Sequence, residues 1–409
     1  LESAGPGAER QEHLGIEMVS SGDDGWFARI DDYFVAAPAV EDLEAAIEAS
    51  TDGGSSLAGV DEFREASTLL PTERFAYAFA NGSAVIENLS AELEQDPMFA
   101  EVFGDTVESY NGYTGMTVAA DEAGIRVETV TIPVNAVPAA TSPGVDLTMA
   151  DRMPADTVIF ANGQNLGETT LMNSVGILIV TALSAVTSEP MGDEPMASPV
   201  PMTIDETYES LAQLFGFNLK TGFIDQLVGE YGFAVWGIES GDPADVSAVL
   251  VSGADDPELL GDTVSSVTFL IQAAGQGELN VTSRELEGGP INNIQFVTEG
   301  MPVSIDFGVV DDEFILGFND GADIVSAGPT ESLSDSTLYQ NAMSLLPEEH
   351  DSVYFVNVAA LTAASASLSE TDFGVPADDT FVEIQVESIA AVTWIEDGNS
   401  RSSAVVVVP

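Results

Sequence analysis

Alternating apolar and polar positions mark short strands along the chain, and helical spacing marks the segments between them. FARIDDYFVAA (27–37) alternates on both sides of an Asp-Asp pair, which is typical of a hairpin. DEFREASTLL (61–70) has apolar residues at helical spacing and ends before Pro71, which cannot continue a helix. FAYAFAN (75–81) then predicts a buried strand. This order predicts an α+β fold in which helices pack on antiparallel β-sheets.

The same pattern returns near the C-terminus, where LLPEEHDSVYFVN (345–357) echoes LLPTERFAYAFAN (69–81). With Leu69 placed on Leu345, the ranges 56–81 and 332–357 align without gaps and are identical at nine of 26 positions. We call this pairing, continued without gaps, the repeat alignment. The match continues on both sides into predicted strand pairs. We therefore predict an internal duplication.

The two predicted copies differ in extent. The second is a complete unit at about 152–409, whereas the first is a partial unit at 1–135. A segment rich in Pro, Ala and Ser at 136–151 is interpreted as a linker. The elements predicted only in the second unit include a buried strand within 152–164, helices at 166–186, near 204–215 and at 221–228, strands at 231–239 and 246–253, and a helix at 256–274.

Charge changes this picture more than any motif. The chain has 69 Asp and Glu against nine Lys and Arg, a formal net charge of −60, and its one lysine is Lys220. Such a field repels nucleic acid and anionic lipid and attracts cations, so we expect no nucleic-acid partner. Three interpretations of the acidity remain open: adaptation to high salt, a solvated coat that opposes aggregation, and a surface that binds cations.

Acidic loops that contain glycine are the candidate calcium sites, because Ca²⁺ takes carboxylate and carbonyl oxygens as ligands. The loops are SSGDDG, FNDGAD and SETDFGVPADD, and none has the spacing of an EF-hand. The Asp-Asp pairs at 31–32 and 311–312 are instead interpreted as hairpin turns. The candidate metal ligands are Asp23, Asp24, Asp320, Asp323, Asp378 and Asp379.

The residues that most catalytic sites require are scarce. There is no cysteine, which excludes disulfides, thiolate metal sites and cysteine nucleophiles. His13 and His350 are the only histidines, and no nucleophile elbow or phosphate-binding loop is present. We predict no catalytic residue and no cofactor other than Ca²⁺. Because 69 acidic residues supply many carboxylate pairs, an acidic-cleft hydrolase remains an alternative.

Two segments bear on membranes and export. The N-terminal LESAGPGAERQEH lacks the basic and apolar regions of a signal peptide, so for an exported protein the signal or membrane anchor has been removed or lies upstream of Leu1. Residues 169–188 carry no charge and are long enough to span a bilayer. They are rich in Thr and Ser, and no Lys or Arg lies between Arg152 and Lys220. We favour a buried or oligomer-facing helix over a transmembrane helix.

Several short motifs together resemble a bacterial family catalogued as domain of unknown function 3352. They are a Leu-Pro-acidic segment followed by a strand that ends in Asn, the pair Gly229-Glu230 before an apolar strand, and the hairpin VVDDEFILGF (309–318) before Glu331-Ser332-Leu333. The resemblance implies an exported or membrane-anchored envelope protein without an assigned activity. It therefore indicates location rather than chemistry.

These observations favour a non-enzymatic structural or interaction protein of the cell surface or extracellular space. A partial β-rich unit leaves a sheet edge that must be covered, and cover by another subunit would produce a homo-oligomer or polymer. The first alternative is a binding module for divalent cations or for a small apolar ligand, in which helix 169–188 and the Met-rich loop 188–202 line a pocket. The second alternative is the hydrolase.

Overall fold

The coordinates are a computed structural model. It describes residues 9–20, 25–30, 33–51, 56–84, 112–121, 124–134, 147–169, 208–209, 212–213, 216–238, 244–274, 281–298, 301–369 and 385–409.

The first compact unit, Leu1–Leu69, contains a four-stranded antiparallel sheet in the order β1-β2-β3-β4. Helix α1 packs on β3 and β4 because Leu43 and Ile47, four residues apart, lie on one helix face. They close a small core with Met18, Ala28 and Ile30 of the strands. The elements are β1 (Arg10–His13), β2 (Ile16–Ser20), β3 (Trp26–Ile30), β4 (Tyr33–Ala37), α1 (Val40–Thr51) and α2 (Asp61–Leu69).

The second unit, Leu70–Pro409, is built on a thirteen-stranded sheet in which every pair of neighbours is antiparallel. The strand order is β11-β12-β13-β14-β10-β9-β8-β15-β16-β17-β7-β6-β5. The strands are β5 (Ala76–Asn81), β6 (Gly112–Asp121), β7 (Gly124–Pro133), β8 (Ile159–Gln164), β9 (Leu227–Trp236), β10 (Ser247–Ala254), β11 (Val281–Leu286), β12 (Gly289–Thr298), β13 (Met301–Val310), β14 (Glu313–Phe318), β15 (Ser352–Asn357), β16 (Ser388–Glu396) and β17 (Asn399–Val407). The helices are α3 (Leu219–Gly222), α4 (Pro257–Ala274), α5 (Gly321–Ala327), α6 (Thr337–Met343) and α7 (Val358–Ser369).

Hydrophobic clusters form on both faces of this sheet. Successive residues of β14 point to opposite faces, so that Phe314 joins a cluster with Val264 of α4 and Ile315 joins the cluster that includes α5 and α6. In the second cluster the ring of Tyr339 meets Phe355 edge-on at 5.3 Å and Phe160 at 6.0 Å, measured between ring centroids. Helices on both faces make the central strands apolar on both sides.

Helix α5 lies unusually close to the sheet, and Gly321 makes this possible. A Cβ at this position would lie 2.0 Å from the carbonyl oxygen of Ala248 in β10. Gly317 of β14 is similarly constrained, since its Cβ would lie 2.6 Å from the backbone nitrogen of Ala322. The two glycines fix the contact between α5 and the sheet at backbone distance.

The predicted α+β class with antiparallel sheets is confirmed, and most strands match in position. The predicted helix at 221–228 is only partly correct. Helix α3 ends at Gly222 and a short 3₁₀ turn occupies Ile224–Gln226, but β9 begins at Leu227, whose Cα is paired with Ala254 of β10. Pairing within the sheet overrides the local helical pattern there.

Within the described parts of the chain, no helix is long and apolar enough to cross a membrane. The uncharged segment proposed at 169–188 lies outside them beyond its first residue, and the Met-rich loop 188–202 lies wholly outside. The predicted orientation of that helix stays a prediction.

We expect Phe355→Ala to lower the free energy of unfolding of the larger unit by about 3–5 kcal/mol, because it removes a ring that is 1% exposed from the centre of the core. Urea unfolding followed by circular dichroism measures this loss. Phe79→Ala is the matched control, since Phe79 lies at the corresponding place in β5 but is only partly buried. Its loss should be about half or less, and equal losses for the two variants would contradict the assignment of the core.

Candidate interaction edge

Each sheet ends in two strands that, among the residues described, pair on one side only. In the four-stranded sheet these are β1 and β4, and in the thirteen-stranded sheet they are β11 and β5. The free side of an outer strand presents N–H and C=O groups to which another strand can bond. The four outer strands differ sharply in charge.

Strands β1 and β11 carry charges. The sequence of β1 is RQEH, with Arg10 and Glu12, and that of β11 is VTSREL, with Arg284 and Glu285. Charged side chains on an edge oppose pairing with a further strand, because close approach would remove them from water. Strands β1 and β11 therefore have the composition of outer strands whose second side stays exposed to water.

Strands β4 and β5 carry no charge and no proline. Their sequences are YFVAA and AYAFAN. Phe34 in β4 is 73% exposed, and Phe75, directly before β5, is 67% exposed. In a chain with a net charge of −60, two uncharged outer strands with exposed aromatic residues lack the usual protection against strand addition.

The strand that corresponds to β5 in the sequence pattern is an inner strand. The repeat alignment places β5 on β15, which pairs with β16 on one side and β8 on the other. Phe355 of β15 pairs with Phe160 and Ala390, whereas Phe79 of β5 has Gly115 as its partner in β6. Strand β5 therefore has the composition of a strand that is paired on both sides.

One predicted metal ligand, Asp323, belongs instead to an ion-pair cluster. Arg284 donates from Nε and Nη2 to Asp306 at 2.8 and 2.6 Å, and from Nη1 and Nη2 to Asp323 at 2.7 and 2.9 Å. The Asp306 side chain is fully buried and also accepts a hydrogen bond from Asn293. The hydrogen bonds that Arg284 donates to Asp306, and then those that it donates to Asp323, raise the pKa of the Arg284 guanidinium further above its usual range.

Of the other predicted metal ligands, one lies within the described residues. Asp320 is exposed at the start of α5, three residues from Asp323, and Asp23, Asp24, Asp378 and Asp379 lie outside the described residues. Within the described ranges, no three Asp, Glu or His side chains are arranged to hold a metal ion. Calcium binding stays a prediction.

A second polar centre, which the sequence did not indicate, surrounds Glu230 of β9. Its Oε1 accepts hydrogen bonds from the backbone nitrogens of Thr148 and Met149 at 2.6 and 2.9 Å, and from Asn162 Nδ2 at 2.9 Å. Its Oε2 accepts from the Thr148 hydroxyl at 2.8 Å. The carboxylate thus holds the first backbone N–H groups of the 3₁₀ turn Met149–Asp151, and its role here is to anchor that turn.

Tyrosines and histidines near these strands have structural contacts. Burial, together with Tyr354, raises the pKa of Tyr231 to about 12, so that its hydroxyl stays protonated at neutral pH. His13 lies 3.1 Å from Glu48 and 3.6 Å from Glu44 of α1. His350 Nδ1 lies 3.0 Å from the carbonyl oxygen of Pro347, as expected for a turn residue.

A family model described as "Protein of unknown function (DUF3352)" matches residues 3–387. The chain belongs to this family. No curated protein and no solved structure matches the chain. The predicted resemblance is therefore correct, and the match includes most of both predicted copies.

The motifs that suggested this family are parts of its framework. Asn81 and Asn357 end β5 and β15, as predicted, and each also caps the next helical turn: their Oδ1 atoms accept from the backbone nitrogens of Ala84 and Ala360 at 3.3 and 3.0 Å. Gly229, with φ of +72°, precedes the anchoring Glu230. These motifs thus lie at strand ends and helix starts.

Arg284→Ala should destabilise the larger unit by about 3–5 kcal/mol, because the fully buried Asp306 loses its counter-ion. Lys220→Ala is the comparison, since the pair between Lys220 and Asp225 is exposed and should be worth about 0–1 kcal/mol. Thermal and urea unfolding of the three proteins measure both losses. Similar small losses for both variants would show that the cluster around Asp306 contributes little.

Proposed function

We propose that this protein is a non-enzymatic structural or interaction protein of the extracellular space or cell envelope, and that it associates with a second copy through the β5 edge. The observation that carries the proposal is an outer strand with no charge, AYAFAN, in a chain with a net charge of −60. Its counterpart in the repeat alignment, β15, is paired on both sides. The location rests on the family resemblance stated above.

The proposal includes an internal duplication, which the matching elements support. The repeat alignment places the 3₁₀ turn Leu57–Gly59 on Leu333–Asp335, β5 on β15, and the start of β6 on the start of β16. Ala66 and Ala342, which it pairs as identical residues, are both fully buried. The aligned positions thus agree in structure as well as in sequence.

The strand registers of the first unit support it further. His13 pairs with Ile16 across the β1–β2 turn, and the corresponding pair across the β11–β12 turn is Leu286 with Gly289, at the same separation. In β3 and β4, Trp26 pairs with Ala37, and the corresponding pair in β13 and β14 is Asp306 with Gly317, again at the same separation. The difference in residue number between corresponding positions is not the same for these two hairpins and for the repeat alignment. Different lengths of the connecting loops account for this.

The copies then differ in the strands beside β4 and β5. Their counterparts β14 and β15 have β10 and β8 as second neighbours, and β9 lies between those two strands. Helix α4 covers the face of β14 on which Phe314 lies, whereas Phe34, the counterpart of Phe314, is 73% exposed. Among the described residues, β4 and β5 of the first copy therefore pair on one side only and Phe34 is exposed, whereas the corresponding strands and face of the second copy are covered.

The pairing of β7 with β17 supports a second copy as the occupant of the β5 edge. Val127 pairs with Ala404 and Glu128 pairs with Ser403. The repeat alignment maps Val127 on Ser403 and Glu128 on Ala404, so the pairing is unchanged when the two copies are exchanged. The two aligned copies thus pair with each other through antiparallel strands that are related by a local two-fold axis. This is also the geometry of a closed dimer.

Antiparallel pairing of β5 with β5 of a second molecule would repeat that arrangement. The strand opposes no like charges to itself, which favours self-pairing over the charged β1 and β11 edges. The remaining surface repels a second copy because each carries a net charge of −60. Cations that gather on this acidic surface would reduce the repulsion, so they are the second class of partner in the proposal.

Ala78→Glu should weaken self-association by about tenfold or more, because it places two carboxylates opposite or diagonal to each other in the paired β5 strands. Ala78 is exposed in the middle of β5. Sedimentation equilibrium or size-exclusion chromatography with light scattering measures the association constant.

The control is Ser283→Glu, which adds the same charge to the exposed middle of the outer strand β11. It should leave the association constant within about twofold, since only overall repulsion changes. A wild-type chain that stays monomeric at all concentrations, or an equal effect of the two variants, would reject the β5 interface.

Salt should strengthen the association. Raising NaCl from about 0.1 M to about 1 M shortens the Debye length from about 10 Å to about 3 Å and screens the repulsion between the two acidic surfaces. The fraction of dimer, measured by sedimentation velocity at fixed protein concentration, should therefore rise with salt. A fall would indicate an interface held by ion pairs instead of an uncharged strand.

A further inference from the structure

A cavity of about 310 Å³ lies between helix α4 and one face of the larger sheet. One wall is the sheet, from β12 to β14, and the opposite wall is α4 with the segment that begins at α3. All ten lining residues are apolar: Leu219, Phe223, Val264, Val267, Ile271, Ile294, Ile305, Phe307, Phe314 and Leu316.

The wall is built by regular elements and an aromatic contact. Val264, Val267 and Ile271 are spaced three and four residues apart, so they lie on one face of α4. Phe223 and Phe314 meet edge-to-face with ring centroids 5.0 Å apart. A cavity held between a helix of 18 residues and three paired strands is a pre-formed space.

The space is half open to solvent, where Leu316 of its lining is 41% exposed. A water molecule inside it would find no polar side chain, because every residue of the lining has an apolar side chain. The volume is roughly twice that of an enclosed, engineered apolar cavity of ~150 Å³ that binds benzene. It also lies at the lower end of the range for small-molecule sites, roughly 300–1,000 Å³.

The charge of the chain restricts which apolar molecule can enter. An anionic amphiphile would approach a protein with a net charge of −60 and would find no cationic side chain in the lining. A neutral molecule pays no such penalty. The lining thus discriminates by charge as well as by polarity.

We propose that this cavity is a binding site for one uncharged, hydrocarbon-rich small molecule of about the size of two or three aromatic rings or a medium-length alkyl chain. The site is distinct from the β5 edge and does not rest on the proposed function. It also uses different residues from the segments 169–188 and 188–202, on which the sequence-based expectation of an apolar pocket was placed.

The test uses the full chain and two fluorescent probes that share one ring system. N-phenyl-1-naphthylamine is neutral, and 1-anilinonaphthalene-8-sulfonate carries an added sulfonate. We expect the neutral probe to bind with a stoichiometry of one and the sulfonate to bind at least about tenfold more weakly, because its charge is repelled and must be buried. Neutral 1-decanol should displace the bound probe more effectively than decanoate.

Val267→Phe fills the cavity from α4 and should reduce binding of the neutral probe by at least about tenfold without lowering the unfolding temperature. Leu259→Phe is the matched control, since Leu259 lies on the same helix but is exposed and outside the lining, and it should leave binding unchanged. Absence of neutral-probe binding to the wild-type chain, equal binding to Val267→Phe, or clear destabilisation of Val267→Phe by overpacking would each overturn the proposal.

Discussion

Backbone pairing between neighbouring strands is the interaction on which this molecule depends. In a sheet of thirteen antiparallel strands each inner strand pairs on both sides, whereas among the described residues each outer strand pairs on one side. The charges of β11 and β1 suit open edges, whereas β4 and β5 are uncharged. The composition of the four outer strands therefore distinguishes two charged strands, which suit exposure to water, from two uncharged strands, which suit pairing with another strand.

The few basic side chains act within the fold. Arg284 neutralises the buried Asp306, Arg152 binds both carboxylate oxygens of Glu313 at 2.7 and 2.8 Å, and Lys220 pairs with Asp225. Because nine Lys and Arg face 69 Asp and Glu, they offset little of the acidity of the chain. The net charge of −60 then acts at the surface of the molecule, where it determines how strongly two copies repel each other.

Local patterns predicted the elements that local forces determine. Pro71 and Pro347, the strand-ending Asn81 and Asn357, and the Asp311-Asp312 turn, with φ of 49° and 66°, were all readable as stops and turns. The Asn capping bonds could have been anticipated, because each acceptor lies three residues before its donor.

Contacts between residues far apart in the sequence could not be predicted in this way. Asp323 was proposed as a calcium ligand because acidic loops resemble calcium loops, but its partner Arg284 lies 39 residues away in β11. Glu230 binds the turn at Met149, which is 81 residues away. The apolar cavity likewise combines α3, α4 and three strands, and only the tertiary arrangement brings their side chains to one space.

The strength of the proposed β5 interface can be estimated by comparing the energy of its hydrogen bonds with the cost of association. A strand of six residues can add about six hydrogen bonds with a neighbour, each worth roughly 0.5–1.5 kcal/mol net, so backbone pairing supplies about 3–9 kcal/mol. Association costs roughly 4–15 kcal/mol in lost freedom of motion. Backbone bonds alone are therefore marginal, and burial of Phe75 and Phe79, which are exposed and partly exposed in the single chain, has to contribute. Because the two terms are so close, electrostatic repulsion between the acidic surfaces would decide the balance, and the proposed association would depend on the ionic environment.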